Sequence, residues 1–259
     1  MFRLLVFVLV FLLISCNSSQ NFKLENQTLT IAAAANLEAV LREIGKDFQA
    51  ETKLKPTFSF GATGNLAKQI ENGAPFDLFM AADVKTIDLL IAKDHVINSS
   101  KKIYAQGRLV LYYTNSITVN DLLDLTKSDF KQIAIASPEL APYGLAAKQA
   151  LQNIGIWSNI EKKIVYAENV NMALQYAKTG NVQAAFVARS LVDDKDKYLI
   201  VDESLHFPLD QALAVVTRSK NKELAKKFIL FLTTQKSKAL LEKFGSSVIP
   251  VEATRYSVK

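Results

Sequence analysis

The chain has 259 residues, of which 31 are basic and 25 acidic, giving a formal net charge of +6. This length suffices for one large domain or two smaller ones, each with a core. The lysines are spread along the chain as short pairs without interleaved aromatic residues, which argues against a nucleic-acid-binding protein. A single cysteine excludes an intramolecular disulfide.

The N-terminus predicts export. Arg3 is the only charge before an unbroken apolar run over residues 4–14, which is too short for a good membrane span. This run ends in Leu13-Ile14-Ser15-Cys16, which resembles a bacterial lipobox, where the cysteine is lipidated and becomes the first residue. The polar residues that follow are typical of a flexible tether. We therefore predict a signal peptide over residues 1–15, and a lipidated N-terminus and tether over 16–27 that anchors the protein to a membrane through Cys16.

Strands and helices alternate along the rest of the chain. Apolar runs predict three strands, each followed by a helical stripe, at residues 29–34, 55–60 and 77–81. Three such units in succession predict a parallel sheet covered by helices. A strand at residues 108–113 and a polar stretch end this set. The alternation then restarts, with strands predicted at 132–136, 163–167, 183–188, 198–201 and 211–217 before a C-terminal helix.

Two strand-helix sets of similar size predict two α/β lobes. The strands at residues 108–113 and 211–217 are the candidate crossings between them. The predicted domains are therefore 28–107 plus 213–259 for lobe 1, which includes the C-terminal helix, and 108–212 for lobe 2. A ligand would bind in the cleft between the lobes, where such sites tend to occur.

At four points the carboxyl end of a strand turns into a helix, which is where open α/β sheets bind ligands. Two of these helix starts lie in each predicted lobe: Asn36, Gly61–Asn65, Tyr143-Gly144 and Asn169–Asn171. The unpaired N–H groups and partial positive charge of a helix start favour an anion. A turn that binds nothing fits each stretch equally well when it is considered alone.

The four turns contain no Lys, Arg, His or Cys. A carboxylate ligand usually requires an arginine fork, and a bare metal ion needs clustered His, Cys or carboxylate ligands. Glu168, the one acid, could accept the proton of a monoprotonated phosphate, although a capping or solvated role also fits. A donor-rich site of this kind favours a fully ionised tetrahedral oxyanion and indicates neither a metal site nor a cofactor.

Five stretches, by their order and spacing, resemble the periplasmic molybdate-binding proteins of ABC importers over about residues 29–250. They are residues 32–37, 60–67, 73–83, 142–144 and 167–170. The resemblance implies a two-lobed type II periplasmic binding protein fold, in which each lobe is a mostly parallel sheet flanked by helices. It also implies that main-chain N–H groups and hydroxyls capture the oxyanion in the interlobe cleft.

The resemblance assigns oxyanion binding residue by residue. By motif position the ligand-binding residues are Asn36, Thr63, Tyr143 and Val170, the last through its backbone, and Ala62, Gly64 and Asn169 are secondary candidates. One position departs from the family pattern, because many members have a ligand-binding tyrosine where this chain has Ala188. The phenol of Tyr143 could replace it from the other side of the cleft. This departure leaves the choice among oxyanions open.

The function that the resemblance implies is capture of molybdate, or of tungstate, by a monomeric extracytoplasmic binding protein that delivers its ligand to an ABC permease. A sulfate-binding protein and an enzyme of the same two-lobed fold are the alternatives. The enzyme alternative lacks a paired acid and base in the four turns, a nucleophile elbow and a P-loop.

Other polar residues have plainer interpretations. Asp77 and Asp83 flank a strand beside the cleft, and capping or turn roles suit them better than contact with an anion. His95 and His206 have no Ser or Cys partner in a known spacing, and we predict both to be surface residues. Arg189 follows a strand at the cleft and could attract the anion.

Overall fold

The computed structural model describes residues 28–248, so the predicted signal peptide, Cys16 and the tether lie outside the described residues. The strands in chain order are β1 Thr28–Ala34, β2 Lys55–Gly61, β3 Leu78–Ala81, β4 Lys102–Gln106, β5 Leu109–Tyr113, β6 Ile133–Ala136, β7 Ile164–Ala167, β8 Ala184–Ala188, β9 Tyr198–Ile200, β10 Asp210–Val215 and β11 Ser247–Val248. The α-helices are α1 Glu38–Thr52, α2 Thr63–Glu71, α3 Val84–Ala92, α4 Pro142–Asn153, α5 Trp157–Ile160, α6 Val170–Lys178, α7 Lys222–Leu232 and α8 Gln235–Lys243.

The strands form two sheets, one for each lobe. The first has the order β11-β4-β10-β3-β1-β2 and the second the order β7-β6-β8-β5-β9. Strands β2, β1 and β3 are parallel in the first sheet, as are β7, β6 and β8 in the second, and the remaining pairs are antiparallel. The two-lobed α/β fold is therefore confirmed, with antiparallel strands where the chain enters and leaves each sheet.

The chain crosses between the sheets twice. It leaves the first sheet between β4 and β5, at residues 107–108, and returns between β9 and β10, over residues 201–209. The sequence does not predict β4, and it extends lobe 2 to residue 212. In the structure Asp210 already pairs with Gln106 of the first sheet. The second crossing therefore ends before Asp210, and residues 210–212 belong to lobe 1.

The C-terminal region packs on lobe 1, as predicted, but it forms two helices, α7 and α8, where the sequence predicts one. Phe48 on α1 contacts Phe228 and Phe231 on α7, with ring centroids 5.1 and 5.3 Å apart in edge-to-face geometry. Such aromatic pairs contribute about 0.5–1.5 kcal/mol beyond the area they bury. Helix α7, which follows the second crossing, therefore packs against α1, so the C-terminal part of the chain belongs to lobe 1.

The two aspartates that flank β3 have structural roles. Asp77 is buried and accepts hydrogen bonds from the Thr30 N–H at 2.8 Å and from Ser219 Oγ at 2.7 Å. Asp83 precedes α3 and accepts from the Thr86 N–H at 2.8 Å. The contact of Asp83 confirms the predicted capping role. Asp77 has neither a capping nor a turn role, because it joins β1 to the segment after β10, which are distant in sequence.

His206 corrects a prediction. It is only 8% exposed, because the second crossing lies against α4, where Asn153 Nδ2 donates to the Leu205 carbonyl at 2.8 Å. The prediction that His206 is a surface residue is therefore wrong.

Among the helices of residues 28–248, none is both long and apolar enough to cross a membrane.

Candidate functional site

The four helix starts meet at one small cavity between the lobes. Its lining includes Asn36 and Thr63 from lobe 1 and Tyr143 and Val170 from lobe 2. Of the secondary candidates, Ala62 and Asn169 also line the cavity, whereas Gly64 does not. The structure thus brings together the four residues that the resemblance singled out, and their role in binding remains a prediction.

Strand register explains why these starts are neighbours. Ala34 at the end of β1 is paired with Gly61 at the end of β2, and Ala136 on β6 is paired with Ala167 on β7. Because parallel strands end at the same edge of a sheet, the segments that follow them emerge side by side. Each lobe therefore presents two helix starts, and the cleft brings the two pairs together.

Val170 offers its main-chain N–H to the cavity. The side chain of Asn169 caps α6 by accepting from the N–H groups of Asn171 and Met172, at 3.0 and 3.1 Å. The N–H of Val170, the first residue of α6, has no acceptor within residues 28–248. A helix start leaves such groups available to a ligand, and Asn169 helps by occupying the N–H groups behind it.

Thr63 offers a hydroxyl. Its side chain is 1% exposed, and Oγ1 accepts a hydrogen bond from the Ala82 N–H at 3.2 Å. Since the oxygen already serves as an acceptor there, its own proton is free to be donated to a ligand. The neighbouring Gly64 N–H is used differently, because it donates to the Leu140 carbonyl at 2.8 Å across the cleft. Its proposed part in binding therefore has no support from the geometry.

Tyr143 reaches the site with its backbone and directs its phenol elsewhere. It follows Pro142, the first residue of α4, and its N–H has no acceptor in the part of the chain that the structure describes. Its Oη lies 3.4 Å from Gln211 Nε2, beside the first crossing. Burial raises the pKa of this phenol well above its usual range, so it stays protonated at neutral pH.

Asn36 is 1% exposed and only half paired. Its Nδ2 donates to Gln211 Oε1 at 3.1 Å, and its Oδ1 is buried without a partner among the described residues. Gln211 was not predicted as a site residue. The signal available in the sequence was a lone amide at the start of the apolar run Ala212–Val216, and an amide that is fully buried requires polar partners.

The cavity carries no charged side chain. No Lys, Arg, His, Asp or Glu is found among the residues that line it, and residues 28–248 contain no cluster of His, Cys, Asp and Glu that could hold a metal ion. Glu168 does not line the cavity and lies 3.5 Å from Asn65 Nδ2. A ligand bound here would meet dipoles and uncharged hydrogen-bonding groups.

Arg189, which was expected to attract the anion, also lies outside the cavity lining. Its guanidinium donates to the Val192 carbonyl at 2.7 Å and to Asp194 Oδ1 at 2.9 Å, and it stacks over the ring of Tyr198. Ala188, at the departure from the family pattern, is fully buried at the end of β8. No side chain from this strand end takes the place of the missing tyrosine in the cavity lining.

Side chains beside the cavity hold the two lobes together. Asn171 Nδ2 donates to Glu38 Oε2 at 2.7 Å and to the Ala35 carbonyl at 3.1 Å. Ser190 Oγ donates to the Asn36 carbonyl at 2.7 Å. With the bond between Gly64 and Leu140, these contacts show the lobes closed over the cavity. The sequence did not single out Asn171 or Ser190 for this role, because their partners lie on the other lobe.

The chain is similar in sequence to bacterial solute-binding proteins. A family model described as "bacterial extracellular solute-binding protein" matches residues 29–246. The molybdate-binding protein ModA of Azotobacter vinelandii is 35% identical over 222 residues, which cover 83% of this chain and 88% of that protein. ModA of Rhodobacter capsulatus is 32% identical over 216 residues, with coverage of 83% and 86%.

A solved structure of one of these relatives matches the fold of this chain. The solved structure of the Azotobacter vinelandii periplasmic molybdate-binding protein superposes with a TM-score of 0.81 at 26% identity, covering 86% of this chain and 99% of that one. The match spans both lobes and the cleft between them. The chain belongs to the bacterial extracellular solute-binding protein family.

Proposed function

We propose that the protein captures molybdate, or tungstate, in the interlobe cavity and delivers it to an ABC permease. The observation that carries the proposal is a buried cavity that four helix starts supply with N–H and hydroxyl donors and that no charged side chain lines. The ModA relatives, named as molybdate-binding proteins, support the choice of anion. Asn36, Thr63, Tyr143 and Val170 are the proposed ligand-binding residues, with Ala62 and Asn169 shaping the cavity beside them.

The donor set can supply enough binding free energy. Each helix start contributes about 0.3–1 kcal/mol to holding an anion, and about 2 kcal/mol when partly buried. Each charge-assisted hydrogen bond adds about 1.5–3 kcal/mol before desolvation is subtracted. Micromolar affinity requires about 8 kcal/mol, which a few such contacts reach together. Binding without chemistry is the function that this set supports, since it contains no acid and base pair.

Charge state separates some oxyanions and size separates others. A fully ionised tetrahedral dianion needs only donors, whereas a monoprotonated phosphate also needs an acceptor for its proton. Sulfate is a donor-only ligand as well and is smaller than molybdate, so the dimensions of the closed cavity must distinguish the two. The family tyrosine that Ala188 replaces is a ligand-binding residue, so its loss bears on the choice between molybdate and sulfate.

Titration calorimetry of the purified protein with molybdate, tungstate, sulfate and phosphate tests the proposal. We expect saturable heat with molybdate, with a Kd of about 1 µM or below, and weaker or absent heat with phosphate. Sulfate added at saturation before molybdate serves as a competition control. Absence of heat with both molybdate and tungstate would contradict the proposal, and tight binding of sulfate alone would assign the protein to the sulfate alternative.

The lipobox-like sequence supports a second part of the proposal, in which the mature protein lies outside the cytoplasm, anchored by a lipid on Cys16. Mass spectrometry of protein from the membrane fraction should find Cys16 as the modified first residue. The Cys16→Ala protein should lose both this mass increase and its partition into the membrane. An unchanged mass and unchanged partition would contradict the anchor.

A further inference from the structure

Gln211 lies at the centre of a buried polar cluster that joins the cavity to the hinge, which is the pair of crossings at residues 107–108 and 201–209. It is fully buried on β10, directly after the second crossing. Its amide contacts Asn36 Nδ2 at 3.1 Å, Tyr104 Oη at 3.2 Å and Tyr143 Oη at 3.4 Å. These partners come from a cavity-lining turn and a strand of lobe 1, and from the helix of lobe 2 that begins at the site.

The local backbone directs this amide. The pairing of β10 with β4 shifts register between Gln211 and Ala212, and such bulges often re-aim a side chain beside a functional site. Gly107 on the first crossing leaves the required space, since a Cβ there would lie 2.8 Å from Gln211 Nε2 and 1.9 Å from Tyr143 Oη. The cluster therefore occupies a place where the two lobes and one crossing meet.

The cluster is incompletely satisfied. Asn36 directs its Nδ2 to Gln211, which leaves Oδ1, a buried acceptor, without a partner among the described residues. Burying an unpaired polar group is costly. In this arrangement the part of Asn36 that is turned away from Gln211 is an acceptor, which suits an anion poorly.

A second arrangement of the same side chains removes this conflict. If the amides of Asn36 and Gln211 both make a half-turn, Gln211 Nε2 donates to Asn36 Oδ1 and Gln211 Oε1 accepts from Tyr143 Oη. Asn36 Nδ2 is then released to donate to an anion. The half-turns keep the heavy-atom separations of 3.1 and 3.4 Å. Tyr104 Oη, 3.2 Å from the same Gln211 atom as Asn36, then accepts from Nε2 where it had donated to Oε1.

We propose that Gln211 is a positioning residue that determines whether Asn36 presents a donor or an acceptor to the cavity. This inference rests on the proposed function, since the anion is what selects the arrangement with the donor inward. Gln211 itself does not line the cavity, so it acts on the ligand through Asn36. Its contact with Tyr143 makes the same arrangement depend on closure of the lobes.

A double-mutant cycle tests the proposal, with molybdate affinity measured for Asn36→Ala, Gln211→Met and the double variant. Each single substitution removes one charge-assisted bond or its orientation and should raise Kd by about tenfold. Because both act through the same Asn36 amide, the double variant should also be weakened by about tenfold and not by about a hundredfold. Gln175→Met, the same change at an exposed glutamine on α6, is the matched control and should bind like wild type.

A merely structural role for Gln211 gives a different result. It would lower the unfolding temperature, and the losses of affinity would be additive, so that the double variant binds about a hundredfold more weakly. Additive losses would overturn the proposal. Unchanged affinity in Gln211→Met would overturn it as well. If the methionine variant fails to fold, Gln211→Asn serves in the same cycle, because its shorter amide withdraws from Asn36. Additive losses with intact wild-type binding reject the role of Gln211 alone, whereas wild-type protein that binds none of the four anions rejects the proposed function as well.

Discussion

Replacement of Val170 by proline is expected to weaken molybdate binding by about 10- to 150-fold, the equivalent of one charge-assisted hydrogen bond of about 1.5–3 kcal/mol. Proline removes the main-chain N–H that Val170 directs to the cavity. The helix should survive, because Val170 is the first residue of α6, a position where proline is well tolerated. The preceding Asn169 has φ −148° and ψ 174°, the extended backbone that a residue before proline prefers.

Titration calorimetry gives the affinity, and far-ultraviolet circular dichroism shows whether α6 is retained. Val170→Ala is the matched control, since it shortens the side chain and keeps the N–H, and it should lose far less affinity than the proline variant. Equal losses in the two variants would show that the side chain of Val170, and not its backbone, contributes to binding. Undiminished affinity in Val170→Pro would remove this main-chain donor from the site.

Gly107→Ala is expected to weaken binding by opposing closure of the lobes. The new Cβ would lie 1.9 Å from Tyr143 Oη, and the phenol is 2% exposed with little room to withdraw. Overpacking of this kind costs about 1–3 kcal/mol, and a cost paid only in the closed state lowers affinity by the same amount, roughly 5- to 150-fold. The three atoms nearest to the new Cβ belong to Tyr143 and Gln211, and the apolar clusters around Phe79 in lobe 1 and Val187 in lobe 2 do not include these residues. Unfolding of the free protein should therefore change little.

Small-angle scattering with and without molybdate checks this mechanism. Wild-type protein should become more compact when molybdate is added, and Gly107→Ala should require more anion to do so. Adding Tyr143→Phe removes the atom nearest to the new Cβ and should recover part of the lost closure. Wild-type affinity in Gly107→Ala, or a large loss of unfolding temperature without ligand, would contradict a cost confined to the closed state.

Much of the architecture was predictable because it depends on local pattern. Alternating apolar runs and helical stripes revealed both strand-helix sets, and the C-terminal helix of Phe228 and Phe231 was correctly joined to lobe 1. Strand β4 was missed because its five residues, Lys102–Gln106, contain an apolar run of only three residues, which is shorter than that of a clear strand. The end of lobe 2 was misplaced because pairing of Asp210 with Gln106, 104 residues earlier, decides it.

Some features of the candidate site were likewise predictable from the sequence, and others depend on tertiary contacts. The sequence by itself determined that four helix starts would carry donors without charged side chains, because a helix start exposes its N–H groups wherever the strand before it ends. The resemblance to the molybdate-binding proteins then singled out Asn36, Thr63, Tyr143 and Val170, which line one cavity in the structure. Only the tertiary structure decided that Gly64 bonds to Leu140 across the cleft, that the Tyr143 phenol turns to the hinge, and that Gln211 holds Asn36. Those contacts join residues up to 175 positions apart, and local sequence does not specify them, since they exist only when two lobes pack around the chain's crossings.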